Sequence, residues 1–253
     1  MTITVTDLYR YPVKGLSAEP LERCELTPGE GLPHDRRFAL AHGSTDFDPQ
    51  APQWLPKSSF LMLMRDEKLA QLRVVFEETS GQLTILRDGK QVVRAKGSDP
   101  VGRALIAQFF AGFMAGAARG APKLVESPGH MFSDSREKSL SIINLASLRD
   151  LERVVRQEVH PLRFRANVYV DGLGPWEEFR WAGREITLGD ARLKITKPID
   201  RCAATNVDPV TAARDLNIPL SLQRGFGHVH MGVYGVVIDA GGVAVGDRLT
   251  PPS

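Results

Sequence analysis

Leu72-Arg-Val-Val-Phe-Glu-Glu-Thr-Ser-Gly-Gln-Leu-Thr-Ile-Leu-Arg-Asp-Gly-Lys-Gln-Val-Val-Arg-Ala95 contains three short apolar bursts, at 72–76, 83–86 and 92–95. The dipeptides Ser80-Gly81 and Asp88-Gly89 separate them. Both suit the positive backbone angles of tight hairpins, so the spacing predicts a three-stranded meander. Towards the N-terminus, 3–5, 8–9, 21–26 and 37–41 read as further short strands between Pro/Gly turns. Towards the C-terminus, Val101, Leu105, Phe109 and Phe113 recur at helical spacing, with Ile106, Phe110 and Met114 widening the stripe. Gly116 and Gly120 can stop that helix, and Ala121-Pro122 serves as a boundary.

Beyond the boundary a second helix is expected over 145–159. Asn144 is its N-cap, Leu148, Leu151 and Val155 its inner face, and His160-Pro161 its end. Strands are expected at 167–170, 179–181, 185–188, 193–196 and 233–238, with a short helix over 208–216 opening on Pro209. No internal repeat or low-complexity tract interrupts the pattern. The expectation is a mainly β fold with a few helices (α+β), barrel-like, in two halves, 1–122 and 123–253.

Composition narrows the class. The chain has 253 residues, and its 32 Lys+Arg against 30 Asp+Glu leave a net charge of +2, which argues against a nucleic-acid binder or a polybasic membrane anchor. A hydrophobic fraction of 42% with 25% charged residues belongs to a globular chain with a sizeable core. The 23 glycines and 17 prolines are spread along the chain, consistent with many short strands. The N-terminus lacks a signal-peptide pattern, and the longest uncharged run, 104–118, falls short of the roughly 20 residues of a membrane span. A cytoplasmic location without a membrane span is expected. Two cysteines, Cys24 and Cys202, are too few for an iron–sulfur cluster, a Cys-rich zinc site or a multi-disulfide framework.

Cys202 lies in Lys197-Pro-Ile-Asp-Arg-Cys-Ala-Ala-Thr-Asn-Val-Asp-Pro209, after an expected strand and before a loop. Arg201 and Lys197 favour its thiolate, the form that attacks or binds metal, while Asp200 opposes it. Local features leave Cys202 open between a reactive thiol and a buried inert one. Cys24, in the alternating Glu22-Arg-Cys-Glu-Leu26, reads as a packing residue. Gly29 to Leu40 forms a glycine-rich turn entering a strand. Asp35-Arg36 at its mouth either presents a guanidinium to phosphate or forms a surface ion pair. Tyr11-Pro-Val-Lys-Gly15 places a lysine before glycine at a strand end, within reach of an anion. With Arg163, Arg165 and Arg201 from the other half, these would make a cationic cleft suited to a phosphorylated cofactor.

These segments carry a resemblance to the MOSC family, named for the C-terminal domain of molybdenum cofactor sulfurase, over nearly the whole chain. Tyr11-Pro-Val-Lys-Gly15 and Gly31-Leu-Pro-His-Asp-Arg36 resemble its N-terminal β-barrel signature. Phe164-Arg-Ala-Asn167 resembles its Phe-Arg-x-Asn motif, with Ala166 where many members have proline. Arg201-Cys-Ala-Ala-Thr-Asn-Val-Asp-Pro209 and Gly241-Gly-Val-Ala-Val-Gly-Asp247 resemble its signature and closing strand. Within the family the chain is similar to the mitochondrial amidoxime-reducing components.

The resemblance implies a β-barrel MOSC domain packed on an N-terminal β-rich MOSC-type domain. It also implies a molybdenum cofactor, Mo-molybdopterin, with Cys202 as the protein's metal ligand. Lys14, Arg36, Arg165 and Arg201 align with positions that hold the pterin and its phosphate. Asn167 belongs to the same cofactor-binding set. Gly15 stands where similar proteins have serine, leaving only a backbone contact. Phe132-Ser-Asp-Ser135 resembles the stretch bordering the metal, so Ser133 and Ser135 join the cofactor-binding set. Asp134 is a candidate for proton handling, with loop capping as its alternative.

The implied reaction is reduction of a small N-hydroxylated substrate, an amidoxime or hydroxylamine. Electrons would come from a separate donor: a ferredoxin, flavoprotein reductase or cytochrome. The chain offers neither a cluster site nor a dinucleotide fingerprint, because Gly225-Gly227 and Gly241-Gly242 do not precede helical patterns. The alternatives are a sulfur carrier with a Cys202 persulfide, which would need a separate desulfurase, and a non-catalytic cofactor carrier. His228 and His230, two residues apart on a strand, would share a face as a metal pair. With no third ligand evident, they read as structural or pocket-lining. His34 and His42 carry no signal, and pocket shape is expected to depend on loops such as 44–56.

Overall fold

The computed structural model describes residues 2–252. In chain order its elements are β1 (Ile3–Arg10), β2 (Glu19–Leu21), β3 (Arg23–Leu26), β4 (Phe38–Ala41), β5 (Leu72–Glu77), β6 (Gln82–Arg87) and β7 (Lys90–Lys96). Then come α1 (Pro100–Phe113), β8 (Lys123–Glu126), β9 (Leu140–Asn144), α2 (Leu145–Val155), β10 (Val168–Asp171), β11 (Glu185–Leu188) and β12 (Ala191–Asp200). The chain finishes with α3 (Ile218–Phe226), β13 (His230–Asp239), β14 (Gly241–Ala244) and β15 (Arg248–Thr250).

Seven strands close into a barrel in the order β10-β9-β13-β12-β11-β15-β1, with β1 pairing back to β10 and β2 added beyond β1. Closure removes the open edges that a flat sheet would expose. Every barrel pairing is antiparallel except β9 with β10, and α2 supplies the crossover that a parallel pair needs. Leu8 faces Val168, Leu193 faces Val237 and Val233 faces Ile142 across the ladder. These residues, with Ile3, Val5, Leu188 and Leu249, fill the barrel interior. Gly232 sits at φ +73°, and a Cβ there would lie 2.3 Å from the Ile142 carbonyl oxygen, so this crossing of β13 over β9 requires glycine.

Outside the barrel, α2 and α3 bury Leu148, Leu151, Ile218 and Leu222 against Ile143, Tyr169 and Met231. Asn144 caps α2 through its side-chain oxygen, which accepts the Ala146 amide at 3.0 Å. A second body holds the meander β5-β6-β7, α1 and the β4–β8 pair around Phe38, Phe76, Leu83, Ile106 and Phe110. Leu72, Val74 and Phe76 of β5 are buried while the alternate residues are exposed, the period-two pattern of its sequence. The position of residue 122 in space is notable for two pairings that span it: β1 with β10 in the barrel, and β4 with β8 in the second body.

Several sequence expectations are corrected. Residues 179–181 belong to a 3₁₀ turn, Glu177–Trp181, not a strand. Residues 208–216 form no helix, because the Asp208 carboxylate accepts the amides of Val210 and Thr211 and Ala212 turns to φ +59°. The helix there is α3, opened by Asn217 capping the Leu220 amide and closed by Gly227 at φ +77°. Helix α2 ends at Arg156 in a left-handed turn rather than at His160-Pro161. Helix α1 forms, but its buried stripe is Ile106, Phe110 and Met114, while Val101 is 68% and Leu105 48% exposed. Among the described residues, no helix is long and apolar enough to cross a membrane.

Candidate functional site

A cleft of about 280 Å³ opens between the barrel and the second body. Its lining includes all ten residues singled out in the sequence: Lys14, Gly15, Arg36, Ser133, Asp134, Ser135, Arg165, Asn167, Arg201 and Cys202. Backbone pairing explains the convergence. The stretch after β1 runs beside the entry to β4: the Arg36 amide donates to Tyr11 O at 2.7 Å, and the Lys14 amide to Phe38 O at 2.8 Å. The Phe132 amide donates to Arg36 O at 2.9 Å, which brings residues 133–135 alongside. From the barrel, Asn167 O accepts the Tyr9 amide at 2.8 Å, placing Arg165 across from Lys14.

Cys202 follows the end of β12 and is half-buried. Its carbonyl accepts the Thr205 amide at 3.0 Å and the Thr205 hydroxyl at 2.9 Å, which fixes the turn that presents the thiol. β12 is bulged between Ile195 and Lys197 and between Pro198 and Asp200, a device that re-aims side chains at a strand end. Cys24 is different: it packs beside the barrel core, and burial together with Glu25 pushes its thiol up to about 11.

The cations are held in distinct ways. Lys14 is buried, donates to Phe132 O at 2.9 Å and pairs with Asp134. Burial lowers its pKa against the pull of Asp134. For Asp134, burial works upward but the Lys14 ammonium outweighs it, so the carboxyl sits below its usual range. Asp134 is therefore an ionised counter-ion at neutral pH, with no capping contact. Arg36 pairs with buried Asp35 and donates to Arg165 O at 3.0 Å. Arg201 spans two elements, donating to Met231 O at 2.9 Å and Phe164 O at 2.9 Å, with no carboxylate on it. Arg165 donates to Leu16 O at 2.6 Å, while its Nη2 is buried without a partner. Burial lowers the Arg165 pKa to about 10 and also lowers that of Arg201. Arg36 and Arg165 both take left-handed backbone, at φ +50° and +52°, a conformation that non-glycine residues adopt at a cost.

The remaining site residues are mostly committed to structure. Asn167 is 1% exposed; its oxygen accepts the Ser141 amide and hydroxyl, and its nitrogen donates to Tyr9 O at 3.2 Å. Ser133 donates to Ser135 O at 2.6 Å, and Ser135 Oγ accepts the Glu137 amide at 3.2 Å. Gly15 sits at φ +84° with the Leu61 carbonyl 3.3 Å from where a Cβ would be. Arg163 is buried and bonded to Asp208 and Asp215, anchoring the segment that follows Cys202.

Sequence reasoning passed over Tyr234, Ser139 and Lys57, all of which line the cleft. Ser139 Oγ is buried without a partner, and burial raises the Tyr234 pKa so its hydroxyl stays protonated. The wall on this side comes from Lys57 and residues 62–64, just beyond the 44–56 loop. His228 and His230 stack 5.4 Å apart among Trp176, Phe179 and Phe226, outside the cleft. Among the described residues, no group of three or more His, Cys, Asp or Glu is placed to hold a metal.

Residues 127–250 match the MOSC domain, and residues 2–115 match the MOSC N-terminal beta barrel domain. The chain belongs to the MOSC family. Mitochondrial amidoxime-reducing component 1 of Mus musculus is 33% identical over 85 residues, 34% of this chain and 24% of that protein. Molybdenum cofactor sulfurase of Caenorhabditis briggsae is 24% identical over 237 residues, 87% of this chain and 31% of that protein. The aligned regions thus span about a quarter to a third of these relatives. Among solved structures, the YUAD protein from Bacillus subtilis aligns over 98% of this chain and 94% of its own, with a TM-score of 0.44 and 13% identity.

Proposed function

We propose that the chain is a molybdenum-cofactor-binding oxidoreductase that reduces N-hydroxylated compounds such as amidoximes and hydroxylamines. The observation that carries this reading is the meeting of Cys202 with Lys14, Arg36, Arg165 and Arg201 in one cleft, where among the described residues Arg165 and Arg201 have no carboxylate within ion-pair distance. Uncompensated cations in a partly buried site favour an anionic occupant. The unpartnered Arg165 Nη2 and Ser139 Oγ are donors waiting for an acceptor there. A phosphate-bearing pterin fits that donor set, and the Cys202 thiolate is the soft ligand such a metal prefers.

In this reading Lys14, Arg36, Arg165 and Arg201 hold the phosphate and pterin, and Cys202 ligates the metal. The bound centre supplies two-electron chemistry at an N–O bond. The chain's own part is to orient and to exclude water. Asp134 keeps the Lys14 ammonium in place, Asn167 ties the Tyr9 carbonyl to Ser141, and the protonated Tyr234 hydroxyl lines the cleft as a hydrogen-bond donor. Electrons come from a separate ferredoxin, flavoprotein reductase or cytochrome, in keeping with the two-cysteine sequence. Purified protein with a chemical reductant should reduce an amidoxime, and with NADH alone it should not. Rapid NADH-driven turnover by the isolated chain would overturn the external-donor assignment.

A second reading is favoured by the similarity to molybdenum cofactor sulfurase over most of the chain. Here Cys202 carries a persulfide for cofactor sulfuration. Cyanolysable sulfur on Cys202 in protein that binds no molybdenum would select it. Bound cofactor without turnover would instead mark a carrier.

A further inference from the structure

We propose that Tyr11 is a positioning residue that holds the Arg36 and Arg165 guanidiniums together as one anion-binding unit. This rests on the reading of the cleft as an anion site. Tyr11 is 1% exposed. The Arg165 guanidinium carbon lies 4.3 Å from its ring centroid and that of Arg36 lies 5.0 Å from it. The electron-rich ring face attracts both cations, which repel each other. Arg36 has Asp35 as counter-ion, whereas the fixed contacts of the Arg165 guanidinium are the Leu16 carbonyl and this ring.

The same residue also touches both left-handed turns. Its carbonyl accepts the Arg36 amide at 2.7 Å, and its hydroxyl donates to Ala166 O at 3.3 Å, next to Arg165. Its own amide donates to Asp35 Oδ1 at 2.7 Å, so the counter-ion of Arg36 is set from the same point. Burial pushes the Tyr11 hydroxyl up to about 12, so it remains a donor at working pH. Tyr11 lines not the cleft but a neighbouring apolar cavity of about 310 Å³, with Arg165 shared by both. Its influence on a bound anion therefore passes through the two arginines rather than by contact.

The test uses the full cofactor-free chain and inorganic pyrophosphate, titrated by calorimetry. Y11F keeps the ring and loses the hydroxyl; Y11L loses the ring. Y11F should bind within about threefold of wild type, and Y11L about 10- to 30-fold more weakly. In NMR spectra the Arg36 and Arg165 Nε–H protons should lie upfield through ring current in wild type and Y11F, and move downfield in Y11L. Failure of wild type to bind pyrophosphate at all would sink the anion-site reading itself. Binding by wild type with Y11L equal to it, or Y11F as weak as Y11L, would overturn the role of the Tyr11 ring. So would wild-type Arg165 and Arg36 protons at ordinary shifts, whether or not Y11L folds.

Discussion

Replacing Arg165 by Met should make the empty protein more stable and the anion site weaker. Arg165 has no carboxylate within ion-pair distance among the described residues, and burial outweighs the more distant Asp35 and Asp134 to lower its pKa from 12.5 to about 10. At 1.36 kcal/mol per pKa unit, that corresponds to a penalty on the order of 3 kcal/mol for the buried charge. A depressed pKa on a base means the penalty is fully present below pH 10 and fades only above it, so neutral pH shows all of it. Against this, methionine forfeits the hydrogen bond to Leu16 O, worth about 1 kcal/mol, and the contact with the Tyr11 ring, worth about 1 kcal/mol. The balance is a gain on the order of 1 kcal/mol, or roughly 2–4 °C in Tm for a chain of this size. The left-handed backbone at 165 is unaffected, since both residues carry a Cβ. Loss of a charge-assisted bond of about 1.5–3 kcal/mol should weaken pyrophosphate binding roughly 10- to 150-fold. Differential scanning calorimetry and titration on the same preparation read both. A variant that melts lower and binds pyrophosphate as wild type does would refute the account of Arg165 as an uncompensated anion-site cation.

Three further outcomes are expected. Cys24, with its thiol at about 11, should alkylate slowly with iodoacetamide at pH 8, so any fast labelling of wild type should be largely lost in C202A; C24A should leave turnover nearly unchanged. Glu178 is fully buried under Asn144 and Ser147, and burial raises its pKa above 4.5. A raised acid stabilises the fold below its unfolded pKa and loses that contribution as pH rises, so by urea unfolding the stability of E178Q relative to wild type should increase between pH 4 and 7. Gly15→Ser should lower stability by about 1–2 kcal/mol by denaturant titration, because φ +84° and the nearby Leu61 carbonyl disfavour any Cβ.

The meander was legible because its strands are local: Ser80-Gly81 and Asp88-Gly89 join β5, β6 and β7 at the expected turns. The barrel-like expectation holds as well, but which strands close the barrel was not readable, since β1 meets β10 across most of the chain and no periodicity encodes that partner. Helix α3 carried readable signals, Asn217 and Pro219 at its start and Gly227 at its end, but Pro209 drew the expected helix to 208–216 instead. Within the site, charged residues in motifs drew attention, and the structure gathers them in one cleft. Tyr11 and Asp35 stood in those same motifs, yet what they touch depends on packing between segments that sequence spacing does not reveal. Asn167 shows the opposite case: a motif residue whose side chain is used up by Ser141 and Tyr9.

In the proposed function Cys202 and the surrounding cations hold a molybdenum cofactor. The direct measurement is molybdenum and extractable pterin per chain in protein expressed in a cofactor-producing host, for wild type and C202A. About one molybdenum and one pterin per wild-type chain, with the metal reduced in C202A while the protein stays folded, is the predicted result. Wild-type protein containing neither, or C202A retaining full metal and full amidoxime reduction, would contradict it.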